Sequence, residues 1–359
     1  MSIELISEFT DVQTGHRTAA YAVGMDQSEL RIRPFRSTDH DYEAVVAIEN
    51  ANFPDAPFSV GEYRFYDESR DHKYMFERIV AEENGRIVGF ASFGQPWWSF
   101  AEGKYFFFIH VHPDKHDSSV ASALLDWVRA ELQPFQPTKL VSDSREDQRY
   151  LADLLTERGF EMVMRLPQSE LDVQQFDAAR FAAVCDSVRE AGIRIDSLTV
   201  VAAEDSDWKY KMWELEWEIV QDVPAPGPLT RMTFEHWQKR FLESPNFLMD
   251  GQTIARDEDR FVGISGLLTS EAAPKKLYTG LTGVIRSHRR RGIATALKVK
   301  GIKFAQTKGI ELIETDNEEN NPMLDLNKQL GYREKPAFVC YEKKLEFIEP
   351  VKESLIEPL

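Results

Sequence analysis

Cysteine is scarce in this chain. Cys185 and Cys340 stand far apart, without the spacing of a metal site, and two residues are too few for a disulfide framework, which points to a reducing compartment. An excess of positive charge is also missing. Lysine and arginine number 43 against 60 acidic residues, a formal charge of −17. Such a chain is ill suited to coat nucleic acid or an anionic membrane, and a cationic small substrate suits it better. No apolar run approaches the ~18 residues that a membrane span requires. The opening MSIELISEFTDVQ has no basic segment followed by an apolar stretch, so no signal peptide is expected. The expected location is cytoplasmic, with neither nucleic acid nor membrane as partner; the oligomeric state is not legible. What is present is 359 residues, 42% of them hydrophobic, enough for two domains with a core each.

The two domains announce themselves as a repeat. GRIVGFASF (85–93) resembles RFVGISGLL (260–268), with Val88-Gly89 over Val262-Gly263. RGFEMV (158–163) resembles LGYREK (330–335), and Asp55-Ala56-Pro57 resembles Asp222-Val223-Pro224. The separations are 174, 172 and 167 residues, so each weak match supports the others. The first pair reads as strands, short and apolar without a helical period. One α/β unit begins near LRIRPF (30–35) and a second near IRIDSL (193–198). Between them, residues 176–192 carry Phe176, Phe181, Val184 and Val188 at near-helical spacing, which predicts a connecting helix.

The stretch HVHPDKH (110–116) reads at first as a metal site of the H-x-H-x-D-H kind, although Lys115 pushes His116 one position too far. The repeat offers another reading. Residues 110–125 fall over residues 283–298, placing Val111 on Val284, His116 on Arg289, Ser119 on Gly292 and Ala121 on Ala294. In the second copy a strand, KLYTGLTGV (276–284), runs into RSHRRRGIA. A helix follows with Ile293, Ala296, Leu297, Phe304 and Ala305 on roughly one face. A strand delivering three arginines and a glycine to a helix N-terminus favours an anion: the first N–H groups are unpaired and the dipole end is positive.

The run V-x-x-x-x-R-x-x-G-I-A-x-x-L from Val284 to Leu297 resembles the acyl-coenzyme-A signature R/Q-x-x-G-x-G/A of the GNAT acetyltransferases. TDNEENNPMLDLNKQLGY (315–332) is similar to the family's next segment, with Asn320 eleven residues before Gly331. The likeness extends over both copies, in the manner of tandem proteins such as the mycothiol synthases. It implies an α/β fold of two tandem GNAT-like domains, each a mixed, mostly antiparallel central sheet flanked by helices. The expected boundaries are an N-terminal extension 1–29, a degenerate domain 30–170, a connecting helix 171–192, a catalytic domain 193–346 and a tail 347–359. The histidines of 110–116 are then a drifted phosphate loop, and no metal is expected: a zinc site needs a fourth ligand and supporting partners that nothing nearby supplies.

The resemblance implies acetyl-coenzyme A as co-substrate and a small amine as acceptor. It assigns cofactor contacts to Gly283, Val284, Ile285, Arg289, Arg290, Arg291, Gly292, Ile293, Ala294 and Asn320. The first copy has His116, Ser119, Ala121 and Gln148 at the positions of Arg289, Gly292, Ala294 and Asn320. It has thus lost charge, clearance and a polar anchor together, which places the chemistry in the second. Many relatives have a tyrosine general acid where this chain has Asn327, which cannot transfer a proton at neutral pH; Tyr278 or Tyr332 are the other donors. Residues 207–224 read as an amphipathic helix, and Glu216 or Asp222 there, or Glu314 on the strand 310–315, are candidates to deprotonate an amine. A non-catalytic module that binds acyl-coenzyme A or a partner protein is the alternative.

Overall fold

The structure, a computed structural model, describes residues 3–10, 17–23, 30–116 and 119–345; the expected tail at 347–359 lies outside them. Two strands, β1 (Ile3–Thr10) and β2 (Arg17–Val23), precede the first repeat. The first half then runs β3 (Leu30–Pro34), α1 (Asp39–Asn52), α2 (Val60–Glu68), β4 (Phe76–Glu83), β5 (Arg86–Gly94), β6 (Lys104–Val111), α3 (Val120–Leu132), β7 (Lys139–Arg145), α4 (Arg149–Glu157) and β8 (Glu161–Asp172). After α5 (Ala182–Glu190) the pattern returns. It gives β9 (Ile193–Ser197), α6 (Leu198–Glu204), α7 (Trp208–Val220), α8 (Phe234–Trp237), β10 (Thr253–Asp257), β11 (Arg260–Leu268), β12 (Lys276–Val284), α9 (Ile293–Thr307), β13 (Leu312–Asp316), α10 (Pro322–Leu330) and β14 (Arg333–Lys344). The expected connecting helix is shorter than its apolar spacing suggested, because Ala178–Phe181 form a separate tight turn before α5.

All fourteen described strands form one sheet in the order β1-β2-β3-β4-β5-β6-β7-β14-β8-β13-β12-β11-β10-β9. The last strand of each half has changed sides. β14 pairs with β7 of the first half, β8 pairs with β13 of the second, and the two exchanged strands pair with each other. Only β6–β7 and β12–β13 are parallel. A charged cluster sits at the exchange: Lys276 Nζ donates to Glu314 at 2.7 Å and to the Asp55 carbonyl at 2.7 Å, while Lys335 pairs with Asp55 and Glu314.

Helices cover both faces. Neighbouring strand residues point to opposite sides, and on β5 Phe90 packs with Val45, Val46 and Ile48 of α1, whereas Ala91 packs with Val120, Leu124 and Leu125 of α3. In the second half Met212, Leu215 and Ile219 of α7 and Ile293, Ala296 and Leu297 of α9 take the corresponding places. The apolar stripe expected on α9 is thus the buried one, apart from Phe304, which packs at its margin.

Candidate active site

β12 and β13 hydrogen-bond only from Lys276 to Tyr278, then diverge. β6 and β7 do the same after Phe106. Each half therefore contains a wedge between two parallel strands, and the two wedges differ. Opposite β11, β12 carries a bulge: Ser265 faces Thr282 and Leu267 faces Thr279, leaving Gly280 and Leu281 against the single Gly266. β6 runs along β5 without any such shift. A bulge bends its strand and re-aims its backbone groups. The aligned residues differ as sharply. In register, Thr279 stands where the first half has Phe107, the bulged Gly280 and Leu281 where it has Phe108, and Thr282 where it has Ile109. The second wedge is lined by small residues, with Gly280 exposed; the first is packed with aromatic rings. An isolated glycine within a strand is the sequence signal for this bulge.

Beyond the wedge, β12 leads into the arginine loop. Gly292 has φ +78° and caps α9 without a side-chain bond, and Arg290 also has a positive φ of 61°. A Cβ on Gly292 would meet Val184 Cγ1 of α5 at 2.7 Å, so glycine is required by backbone conformation and by helix packing. Arg290 and Arg291 are exposed beside the uncapped end of α9, an arrangement that suits a phosphate. Arg289 is engaged elsewhere: its Nε donates to the Val284 carbonyl at 2.8 Å and its guanidinium pairs with Asp222. The side chains of Ile285 and Ile293 lie in the core, leaving only their backbone for a ligand. Gly283 makes room for α7, since a Cβ there would lie 2.2 Å from Ile219 Cγ2.

The first half's loop is closed by its own side chains. His116 Nε2 lies 2.9 Å from the Val111 carbonyl and 3.1 Å from Asn52 Oδ1, and its ring stacks on Tyr150 at 3.9 Å. Gln148 donates to Asn52 Oδ1 at 3.2 Å. The three histidines go separate ways. His110 packs between Phe53 and Phe90, and His112 lies beside Arg86 and Asp114. Among the described residues no group of three or more His, Cys, Asp or Glu could hold a metal ion.

The candidate catalytic residues are spread out. Asp222 is bound to Arg286 and Arg289, which hold its carboxyl down at about 2. Glu314 is buried between Lys276 and Lys335. Glu216 accepts from Trp237 Nε1 at 2.6 Å, and desolvation raises its carboxyl to about 7. It lies one turn before Ile219, the residue that packs against Gly283 of β12. Asn327 is buried and donates to Asn317 Oδ1 at 2.6 Å, leaving its own Oδ1 without a partner. Asn320 is exposed and bonded to Glu318. Tyr332 is buried, and burial pushes its phenol well above the ordinary range.

Tyr278 lines a cavity of about 430 Å³ between the two halves. Its hydroxyl has no hydrogen-bond partner, and burial with nearby carboxylates pushes its acidity far out of reach. The cavity takes in the throats of both wedges, with Phe108, His110 and Asp143 from one and Tyr278, Thr279 and Asp316 from the other.

A model of the acetyltransferase (GNAT) family matches residues 42–160 and again residues 209–332. The chain belongs to the GNAT family. No curated protein matches it, but solved acetyltransferase structures share its fold. A tandem GNAT protein from the clavulanic acid biosynthesis pathway superposes with a TM-score of 0.65 at 17% identity, covering 88% of this chain and 98% of that one. A GCN5-related N-acetyltransferase from Sphaerobacter thermophilus gives 0.63 at 19% identity, covering 87% and 95%. The glucosamine N-acetyltransferase region of a fungal multi-domain β-N-acetylglucosaminidase gives 0.64 at 15% identity; it covers 88% of this chain, which spans 38% of that larger protein. At these identities the likeness is one of fold. The chain is two GNAT units in tandem, a fold whose general chemistry is acyl transfer from acetyl-coenzyme A. Among the described residues no helix is long and apolar enough to cross a membrane.

Proposed function

We propose that the second unit, residues 193–346, transfers an acetyl group from acetyl-coenzyme A to the amine of a small acceptor, and that the first, residues 30–170, no longer does so. The observation that carries this reading is the bulge at Gly280–Leu281, present on β12 and absent from β6. It sets Gly280 and Leu281 against a single β11 residue, on the part of β12 whose N–H groups do not pair with β13. Such a group beside a reacting carbonyl stabilises the charge that develops on its oxygen. The residues present fit the co-substrate: Arg290, Arg291 and the α9 N-terminus would hold its phosphates, and the backbone of Thr279–Val284 its arm and acyl group.

An amine is cationic at neutral pH and must lose a proton before or during attack. Glu216 is the carboxyl suited to accept it, since its environment raises it to about 7. Asp222 and Glu314 are committed to cations and serve better as counterions of Arg289 and of the exchanged strands. Tyr278 and Asn327 keep their protons and act through hydrogen bonds. The test is a library of small amines with acetyl-coenzyme A, read as released thiol. Binding of the co-substrate without thiol release for any amine would support the non-catalytic alternative instead.

A further inference from the structure

The two units differ behind the wedge as well as in it. The first has Phe107 on β6, Leu125 on α3, Leu155 on α4 and Phe160 just before β8, all buried in one apolar cluster. At the matching positions the second has Thr279 on β12, Lys298 on α9, Asn327 on α10 and Tyr332 just before β14. The polar set is buried too: Lys298, Asn327 and Tyr332 are 4%, 1% and 6% exposed. It also forms one cluster. The Tyr332 ring lies under the Lys298 ammonium at 5.2 Å, its N–H donates to the Asn327 carbonyl at 3.0 Å, and its phenol lies against the Thr279 side chain. Thr279 stands at the throat of the wedge, one residue beyond the last pair of β12 and β13.

The first unit shows that the fold does not need these groups, since a leucine serves at the position of Lys298. The second buries them incompletely matched. Thr279 Oγ1 and Asn327 Oδ1 have no hydrogen-bond partner. Among the described residues Lys298 has no ion-pair partner, and its titratable neighbour is Tyr332, met through the ring. An aromatic face offsets only part of the cost of burying an ammonium, which calls for an anion. The reaction proposed above creates one at this wedge, when the thioester bond breaks.

We infer that Lys298 is the residue that receives the leaving group, holding the departing sulfur as its thiolate. The neutral amine nitrogen bonds to the thioester carbon, and the proton it sheds goes to Glu216. The carbon–sulfur bond breaks with its electron pair on sulfur, beside the Lys298 ammonium. The thiolate leaves the site and takes its proton from water, so Asn327 has no proton to supply. The ammonium meets an uncharged sulfur before the bond breaks and an anion afterwards, so it acts on the transition state more than on the bound thioester. The assignment rests on the acetyltransferase reading, and coenzyme A alone separates the two.

The test is a pH titration of coenzyme A bound to the full chain, read as the ultraviolet difference absorbance of its thiolate. In the wild type the midpoint should fall at least about one pH unit below that of free coenzyme A measured alongside. Lys298→Arg keeps the charge and should keep the lowered midpoint. In Lys298→Met the midpoint should return to the free value or rise above it. Acetyl-coenzyme A, whose sulfur is uncharged, should bind the Met variant within about threefold of the wild type, which also shows that the variant is folded. A bound midpoint equal to the free one, or a lowered midpoint that survives in the Met variant, overturns the assignment and leaves the acetyltransferase reading standing. A loss of acetyl-coenzyme-A binding of about tenfold or more in a Met variant with unchanged circular dichroism overturns it as well, because Lys298 would then hold the thioester. Failure of coenzyme A and acetyl-coenzyme A to bind the wild type overturns both.

Discussion

His116 and Arg289 grip the same backbone point in the two halves. His116 Nε2 lies 2.9 Å from the carbonyl of Val111, and Arg289 Nε donates to the carbonyl of Val284 at 2.8 Å. The loop architecture has thus survived in the first unit although its permanent cation has not: an imidazole stands where the second unit has a guanidinium. The residues around it then complete a closed polar cluster with Asn52 and Gln148.

The openness of the second wedge is tested at Gly280. A Cβ there would find nothing nearer than 3.7 Å, and its φ is not in the left-handed region, so the fold tolerates a side chain. Gly280→Phe introduces the residue type that fills the first wedge. The variant should melt near the wild type and lose acetyl-coenzyme-A binding by more than about tenfold, measured by calorimetry. Undiminished binding would show that the co-substrate does not use this wedge. Gly292→Trp is a poorer probe, because its positive φ and the contact with Val184 strain the fold as well.

Asp222 separates a counterion from a base. If it only neutralises Arg289 and Arg286, Asp222→Asn frees both guanidinium groups for phosphate. Co-substrate binding should then tighten a few-fold at low ionic strength, less so in high salt, with turnover retained. Calorimetry at two salt concentrations together with kcat decides; a drop in kcat of about a hundredfold or more would make Asp222 the base.

Much of this was legible beforehand, and the reasons are local. The repeat, the strand 276–284 and the helix after Gly292 rest on period and on a glycine, signals that act within a few residues. The exchange of β8 and β14 was not legible, because both strands carry the same pattern in either pairing and only the tertiary register chooses. The commitments of Glu314 to Lys276 and Lys335, and of Asn327 to Asn317, were invisible for the same reason: the partners come from elements that sequence spacing does not bring together.

Lys298 predicts a stability effect. It is buried on α9 over the ring of Tyr332, and desolvation lowers its ammonium from 10.5 to about 8. Between those values the unfolded chain binds more protons than the folded one, so stability rises as pH rises from about 8 to about 10.5. Below that window the buried charge costs on the order of 3 kcal/mol. Lys298→Met should therefore be more stable at pH 7 and lose the alkaline rise, as measured by urea denaturation across pH. A less stable Met variant would mean that the ammonium has an attractive partner which offsets its burial.

Glu216 gives the sharpest test of the chemistry. Its carboxyl is raised from 4.5 to about 7 by desolvation. In that interval the folded chain binds more protons than the unfolded one, so this group makes stability fall as pH rises. Glu216→Gln keeps an acceptor for Trp237 and should remove that fall. Its effect on rate is the discriminating measurement. As the base, the carboxylate makes kcat/KM rise with pH to a plateau above about 7, and the Gln variant should lose roughly a hundredfold or more and with it the rising limb. As no more than the partner of Trp237, it would leave the rate nearly intact in the Gln variant. A folded Glu216→Gln protein that keeps both its rate and its pH profile would transfer the base to another group, and the proposed proton path from the amine would have to be withdrawn.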